Sequence, residues 1–506
     1  MMEFKDSKVE KVAEMTEQVG PESHKEPGPQ YLIDPEDEKR VLRKLDRVIL
    51  PLMALVYFFQ YLDKQSINYA AIFGLQDDLS LTGTEFSWAI SLFYFGQFCS
   101  EYPAAYLMSR LPITRFVGAT IVLWGVTEMC LGASADFPSL GAVRFLLGFT
   151  EGAVSPSFMI ITSNWYKRSE NPVRIATWVS MFGVSQIAGA LMMYGIGTAG
   201  DNMEIESWRV MFLVCGGLTV GSGILFLVVM PLDATTAWFL NEQERQIAAE
   251  RLALERATRD RAEFNKKQAQ EALTDPRTFL YAMMALCITI PTPIVKVSIS
   301  MYRVEHVSRA DRFKFSSKVI HGFGYSSLQT MLVGLPGGAI AFVLVWVGAM
   351  GPRYFDNARC FFGMFLALMP LLGSLLLLLL TQPWGIVVST WFAGCTAPPL
   401  GQVVGLMASN VKGNTKKSVN GAVFFVFYCV GCIVGPQLWQ AEDAPHYRKG
   451  CIASIASYAC LILSLLAYYL SGVRSNRKRD GEDESTVMSA DEDLTEREDR
   501  AFRFTL

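Results

Sequence analysis

The sequence predicts an all-α membrane protein with twelve spanning helices in two groups of six. Three observations carry this. Of 506 residues, 51% are hydrophobic and only 18% charged, well below the roughly 25% charged side chains of soluble proteins. Apolar runs long enough to cross about 30 Å of hydrocarbon recur through the middle of the chain. Charge is concentrated at both ends and in one central stretch, and elsewhere Lys and Arg collect in alternate loops. The formal net charge of −3 offers no basis for binding nucleic acid. This distribution excludes a soluble globular enzyme.

Residues 1–47 are polar and charged, with no apolar stretch before Val48. They read as a disordered cytoplasmic tail, not as a signal peptide. The first bundle, 48–231, has expected spans at 48–71, 87–108, 114–134, 139–163, 175–198 and 208–231. A cytoplasmic linker follows at 232–278. Its core, NEQERQIAAERLALERATRDRAEF, is helix-prone, and Glu244, Ile247, Ala248, Arg251, Leu252 and Leu254 make it amphipathic, as for a helix lying on the membrane surface. The second bundle, 279–473, has spans at 279–295, 326–350, 360–381, 384–407, 418–440 and 450–472, and 474–506 is a short acidic tail.

Orientation follows from the loops. Arg110, Arg115, Lys167, Arg168, Arg174, Arg353, Arg359, Lys412, Lys416 and Lys417 fall on one side with the linker and both tails, which places both termini in the cytoplasm. The loops at 74–86, 134–139 and 198–207 contain no Lys or Arg. One loop breaks the rule: Lys296, Arg303, Arg309, Arg312, Lys314 and Lys318 would face outside after a short seventh span cut by Pro291 and Pro293. Two readings stay open, a genuine external loop or residues foreign to the fold. The ten cysteines lie in or beside apolar runs and read as small buried hydrophobes, neither a disulfide framework nor a zinc site.

Ionisable groups within spans are costly to bury, which makes them functional candidates. Asp63 and Lys64 share the first span, and their side chains point about 100° apart, so at least one must find a partner on another helix. Glu101 lies in the second span, where it is either a proton site or a brace for the helix end. Arg144 and Glu151 share the fourth, seven residues and so about two turns apart, on one face and roughly 10 Å apart along the axis. A permanent cation and a titratable carboxyl on one wall suit an anion-plus-proton site: Arg144 holds a substrate carboxylate, and Glu151 takes the proton. The alternative is that these charges pair with one another and only lock the bundle. Gln186 in the fifth span, and Gln402, Asn420, Tyr428 and Gln437 in the tenth and eleventh, offer uncharged groups that either orient a polar substrate or bond helix to helix. Glycines at 183, 189, 195 and 197, and at 431 and 435, read as close-packing surfaces.

Several stretches carry a resemblance. They are YFFQYLDKQSINYAAIFGLQDDLSLTGTEFSW (57–88), FYFGQFCSEYPAAYLMSRLP (93–112), VRFLLGFTEGAVSPSFMIITSNWYKRSE (143–170), HGFGYSSLQTMLVGLPGGA (321–339) and SNVKGNTKKSVNGAVFFVFYCVGCIVGPQLWQAEDAPHYRKG (409–450). Over roughly 45–475 the chain resembles the fungal allantoate/nicotinate permease group, in the anion:cation symporter branch of the major facilitator superfamily. The resemblance implies the major facilitator fold, two six-helix bundles rocking about a midplane site. It also implies an acidic–basic pair in the first helix, matched by Asp63 and Lys64, although Lys stands where some bacterial members have Arg. An Arg and an acidic residue in the fourth are matched by Arg144 and Glu151. RLPITR (110–115) resembles a degraded form of the superfamily's basic loop, with Arg110 and Arg115 bracing an inner gate or simply obeying the positive-inside rule. Similar sequences have only a few residues where this chain has 297–314, which favours a retained intron over a true loop; sequencing the cDNA decides it.

The expected function is import of a small organic anion by proton symport, across the plasma membrane, by a monomer without cofactor or metal. Arg144, Lys64, Gln186, Asn420 and Tyr428 are the expected substrate-binding residues, and Glu151, Asp63 and Glu101 the proton-coupling ones. The partners are the anion, protons and the bilayer. No phosphate-binding, dinucleotide or nucleophile motif is present, which argues against an ATP-driven pump and against an enzyme. An efflux carrier of the same superfamily and a non-transporting nutrient sensor are the rivals; a fixed arginine counts against the first, the shortness of the tail against the second.

Overall fold

The structure, a computed structural model, describes residues 34–167, 170–199, 204–260, 264–292, 332–355, 357–380, 382–439, 448–481 and 494–506. Helix α1 (Pro35–Ile72) starts well ahead of the apolar stretch at 48. Asp34 caps it, accepting from the Glu36 amide at 3.0 Å; Pro35 sits in the first turn, and Glu36, Asp37 and Glu38 complement the helix dipole. Val41, Leu45 and Ile49 recur every fourth residue and are buried, so this first part packs as firmly as a span. Residues 35–47, expected within the disordered tail, are helical for these reasons. The rest of that tail and the anomalous 297–314 lie outside the described residues.

The first half continues with α2 (Glu85–Arg110) and α3 (Ile113–Leu131). Next come α4 (Phe137–Glu151), resumed after Gly152 and Ala153 by α5 (Val154–Trp165), and α6 (Asn171–Val179), resumed by α7 (Met181–Ala199). It closes with α8 (Ser207–Val229). The linker forms α9 (Glu242–Asp260) and α10 (Lys266–Thr274). The second half comprises α11 (Pro276–Thr289), α12 (Leu335–Tyr354), α13 (Arg359–Leu379), α14 (Pro383–Ala393), α15 (Ala397–Asn410), α16 (Asn414–Val434) with a 3-10 turn at Gly435–Leu438, and α17 (Arg448–Asp480). Where they fall on described residues, these elements follow the twelve expected spans; the end of the seventh (293–295) and the start of the eighth (326–331) lie outside the described residues. Among the described residues nine rods are long and apolar enough to cross a membrane. The others are α2, which carries Glu85, Glu101 and Arg110, α11 with 14 residues, and the tenth span, divided between α14 and α15.

Each half encloses its own apolar core, around Trp124, Phe158, Trp208 and Phe226 in the first and Tyr281, Tyr458, Leu461 and Tyr468 in the second. Large apolar side chains such as Leu123, Ile224, Val343 and Leu463 point outward in mid-span, as a hydrocarbon solvent requires. Within the first half α2 and α4 touch backbone to backbone. A Cβ on Gly148 would lie 1.8 Å from the Phe93 carbonyl oxygen, so only glycine fits there. The halves meet along two seams, α2 with α16 and α6–α7 with α12. In the second seam Gly183 and Gly338 are so close that a Cβ on Gly183 would stand 2.4 Å from the Gly338 oxygen. In the first, Ser91 Oγ donates to the Ile433 carbonyl at 3.0 Å and accepts from Gln437 Nε2 at 3.2 Å.

The linker is docked on protein, which differs from the expected surface-lying helix. Glu244 of α9 pairs with Lys44 at 2.7 Å, and Arg251 reaches Glu38 at 2.8 Å and Glu170 at 2.6 Å. Ala248 joins the first core. These ion pairs need partners on α1 and in the loop at 170, which a linker-only periodicity does not reveal. Helix α10 and residues 494–506 cover the expected cytoplasmic end of the second half. Lys416 of α16 is fully buried there among Glu271 at 2.8 Å, Asp275 at 2.9 Å and Glu496. The Asn410 side-chain amide donates to the Thr505 carbonyl at 2.7 Å and accepts from the Thr505 amide at 2.8 Å, and the Arg277 guanidinium lies 3.7 Å over the Phe504 ring. Lys416, expected only as a marker of topology, is thus a structural lysine.

Candidate functional site

Helix α4 is anchored at its start by a capping box. Asp136 accepts from the Ser139 amide at 2.9 Å, and Ser139 Oγ accepts from the Asp136 amide at 3.2 Å. From there Leu140, Gly141, Arg144, Leu147, Gly148 and Glu151 fall on one buried face. The glycines let α2 press against that face, and the break at Gly152 ends the helix directly after Glu151. Arg144 and Glu151 are therefore carried on one wall, as expected from their spacing.

The first span supplies the opposite wall. Lys64 Nζ stands 2.9 Å from Glu151 Oε1, with Glu151 only 1% exposed. This is an ion pair in which neither Glu151 oxygen receives a well-aligned hydrogen bond. The ammonium also lies 5.6 Å from the Tyr61 ring centre and 6.0 Å from that of Phe93, a cation–π setting. Asp63, one residue earlier, turns the other way: its Oδ2 accepts from Thr219 Oγ of α8 at 2.8 Å. Arg144 is 2% exposed, and its Nε and Nη2 have no hydrogen-bond acceptor among the described residues. Lys64 and Arg144 share a small cavity with Ile67, Ile90, Phe93 and Tyr94. Two cations thus open on one space, one held by a carboxylate and the other with two of its three guanidinium nitrogens unpaired among the described residues.

A third buried carboxyl completes the cluster. Glu128 of α3 is fully buried, with Oε1 2.7 Å from Ser66 Oγ. That same hydroxyl lies 2.6 Å from the Asp63 carbonyl oxygen. Glu128 is absent from the sequence-predicted site, although an acid inside the apolar run 114–134 meets the rule that marked the others. Thr219 and Ser66 carried no signal, because lone hydroxyls in spans are common.

The remaining predicted residues are distributed as follows. Tyr428, half-buried on α16, packs against the first core and faces Tyr94 and Tyr61 across the seam, so the second half does reach the site. Gln186 lies on α7 where Gly338 of α12 approaches, with its amide nitrogen unpartnered among the described residues. Asn420 stands apart: it donates to the Lys416 carbonyl at 3.0 Å and lines the pocket around Asp275 and Glu496. Glu101 lies at the α2–α16 seam, facing Cys429. Arg110 lies over the Tyr106 ring of its own helix at 5.7 Å, and Arg115 is exposed; neither forms an ion pair with the second half among the described residues. Gln402 donates to the Gly348 carbonyl, a bond between the tenth and eighth spans. Trp178 packs edge-on to Tyr57 at 4.7 Å.

Comparison with known proteins agrees with this architecture. A model of the Major Facilitator Superfamily matches residues 53–436. The chain is 34% identical over 481 residues to an uncharacterized transporter of Schizosaccharomyces pombe, covering 94% of this chain and 91% of the relative. It is 30% identical over 492 residues to the allantoate permease of Saccharomyces cerevisiae, covering 94% and 88%. Among solved structures, a partially occluded, inward-open form of the xylose transporter XylE from E. coli superposes with a TM-score of 0.60 at 11% identity, covering 83% of this chain and 96% of that one.

Proposed function

The chain belongs to the Major Facilitator Superfamily, and from that premise we propose that this secondary transporter imports a small organic anion together with protons. The observation that carries the proposal is Arg144, buried, charged and with two of its nitrogens unpaired beside a cavity. Burying an ion without a partner costs several kcal/mol, so a site that keeps one in this state is built for a counter-ion that arrives and leaves. The guanidinium fork matches a carboxylate, with Lys64 as the second cation of the same cavity.

Glu151 supplies the coupling. When a substrate carboxylate enters, Lys64 exchanges Glu151 for it, and the released Glu151 takes a proton instead of remaining a bare buried carboxylate. Substrate and proton loaded together leave the cavity's charge unchanged, which permits the rocking step between the two facings. Asp63 holds the base of this wall through Thr219. Tyr428 of the second half and Gln186 of the first line the two seams beside the substrate path, and Glu101 is a further acid on the moving α2–α16 seam. Arg110 and Arg115 serve the inner gate in the other facing. The carrier works as a monomer in the plasma membrane, with both termini in the cytoplasm. The likeness to the allantoate permease supports an anionic substrate, such as allantoate, nicotinate or a related carboxylate.

The test is uptake of a radiolabelled carboxylate panel in yeast, acid outside, with and without a protonophore. Protonophore-sensitive uptake of one anion, abolished in Arg144→Gln at unchanged surface expression, is the expected result. Uptake that survives Arg144→Gln, or efflux of the panel, overturns it.

A further inference from the structure

We infer that Ser91, with Gln437, is a latch that holds shut the end of the carrier opposite the linker, and that it acts on the wall of the anion cavity. The second part alone rests on the anion reading. Ser91 of α2 is fully buried. Its Oγ donates to the Ile433 carbonyl at 3.0 Å and accepts from Gln437 Nε2 at 3.2 Å, so its hydrogen and a lone pair are both engaged, and both by the second half. The end of α16 explains why. Its α-helical ladder stops at Val434, and Pro436, which has no N–H, cannot extend it. The carbonyls of the last turn are therefore short of donors, and Ser91 supplies one. Lys416, near the start of the same rod, is held by Glu271 and Asp275 of the linker. At 1.5 Å per residue Gln437 lies on the order of 30 Å further along, at the opposite end.

What the latch holds is the wall that carries the anion site. Ile90, Phe93 and Tyr94, on either side of Ser91 in α2, line the cavity together with Lys64 and Arg144. Ser91 and Tyr94 are spaced i, i+3, so their side chains lie on adjoining faces about one turn apart. Helix α2 is in turn pressed onto α4. The Phe93 carbonyl sits where Gly148 leaves no room for a Cβ, between Arg144 and Glu151 on that helix. From the other side Cys432 is buried in the first core, and Ile433 and Tyr428 pack against it. Parting α2 from α16 at Ser91 therefore shifts the Arg144 wall against the second half. The latch must break whenever that end opens, and only then does the anion enter from that side. Its removal favours the form open at that end.

The experiment uses the full-length carrier, purified in lipid nanodiscs and expressed in yeast. One neutral hydrogen bond corresponds to roughly a two- to tenfold ratio. Ser91→Ala, which loses both bonds, should shift the balance between the two facings by about tenfold, and Gln437→Leu, which loses one, by about threefold. Hydrogen exchange should rise at 85–95 and 432–439. It should fall where α6 and α15 approach each other, because opening one end closes the other. If Ser91→Ala folds poorly, Gln437→Leu, altered at a half-buried side chain, gives the same signature at smaller size. In yeast the KM for nicotinate uptake should fall by about the factor by which the fraction open at the latch end rises. Faster exchange at the seam without the reciprocal change, or no change at all, overturns the latch and leaves a packing contact. The reciprocal change with an unaltered nicotinate KM keeps the latch and overturns its link to the cavity. The reciprocal change without uptake of nicotinate or any other anion of the panel supports the latch and counts against the anion reading instead.

Discussion

Replacing Glu151 by Gln separates binding from coupling. In the wild type Lys64 and Glu151 lie 2.9 Å apart, with side chains 16% and 1% exposed. Their attraction at an effective dielectric of about 20 is about 6 kcal/mol, and desolvation offsets part of it. Removing one partner of such a pair leaves a buried charge and costs about 3–5 kcal/mol. Glu151→Gln is therefore expected to lower the Tm of the empty carrier, because Lys64 loses its counter-ion. On the proposed mechanism an entering carboxylate should restore what was lost, whereas in the wild type it should first have to displace Glu151. The variant should bind the anion tighter by roughly 100-fold or more, the equivalent of about 3 kcal/mol. With no carboxyl to protonate at this position, acid-driven accumulation should vanish while anion–anion exchange continues. Counterflow and protonophore-sensitive uptake in the same vesicles, with anion-dependent Tm shifts, measure all three quantities. A variant that binds no tighter than wild type and still accumulates the anion under an acid gradient would refute the exchange of carboxylates at Lys64.

Other perturbations follow from the same contacts. Lys416→Met leaves Glu271, Asp275 and Glu496 around an apolar side chain; it should cost about 3–5 kcal/mol, seen as a lower Tm and early hydrogen exchange at 494–506. The docking of this tail should also fail in acid. Burial pushes the Asp275 carboxyl up, but hydrogen bonds from Lys416 and the Arg277 amide, with the Lys416 and Arg497 charges, outweigh it and hold the pKa below its usual value. Asp499 is held low in the same way, burial being outweighed by Lys412. Carboxyls depressed in the folded state add stability above the unfolded value of about 3.9 and lose it as pH falls through their lower folded values. Protection of 494–506 should be flat from neutral pH to about 5 and collapse below about 4; loss already near neutral pH would contradict this. Gly148→Ala puts a Cβ 1.8 Å from the Phe93 oxygen and should destabilise the carrier by about 1–3 kcal/mol, with transport falling further than Tm because α2 is pushed off the wall that carries Arg144.

Hydropathy was enough to point to the apolar rods, because each rod must satisfy its own backbone and present apolar side chains to lipid whatever its neighbours are. The same logic marked Asp63, Lys64, Arg144 and Glu151, since the cost of burying charge is a property of the residue and its segment. What each charge does depends on partners far away in the chain. Lys64 takes Glu151, Asp63 takes Thr219, and Ser66 takes Glu128; no spacing rule reaches across separate helices. The rule that selected the other acids applied equally to Glu128, but only the tertiary structure shows that Ser66 holds it. Asn420 shows the converse. Its position in a span resembled that of a substrate ligand, yet its hydrogen bond to Lys416 ties it to the end of the bundle. The start of α1, the docking of α9 and the burial of Lys416 likewise needed the tertiary structure. In each, polar residues that read as solvated are held by ion pairs whose two halves come from different elements. Local physics determined where the apolar rods lie and which charges are anomalous; only the packing of helices against one another decided which carboxyl faces a cation, which faces a hydroxyl, and which cation is left with two nitrogens unpaired among the described residues.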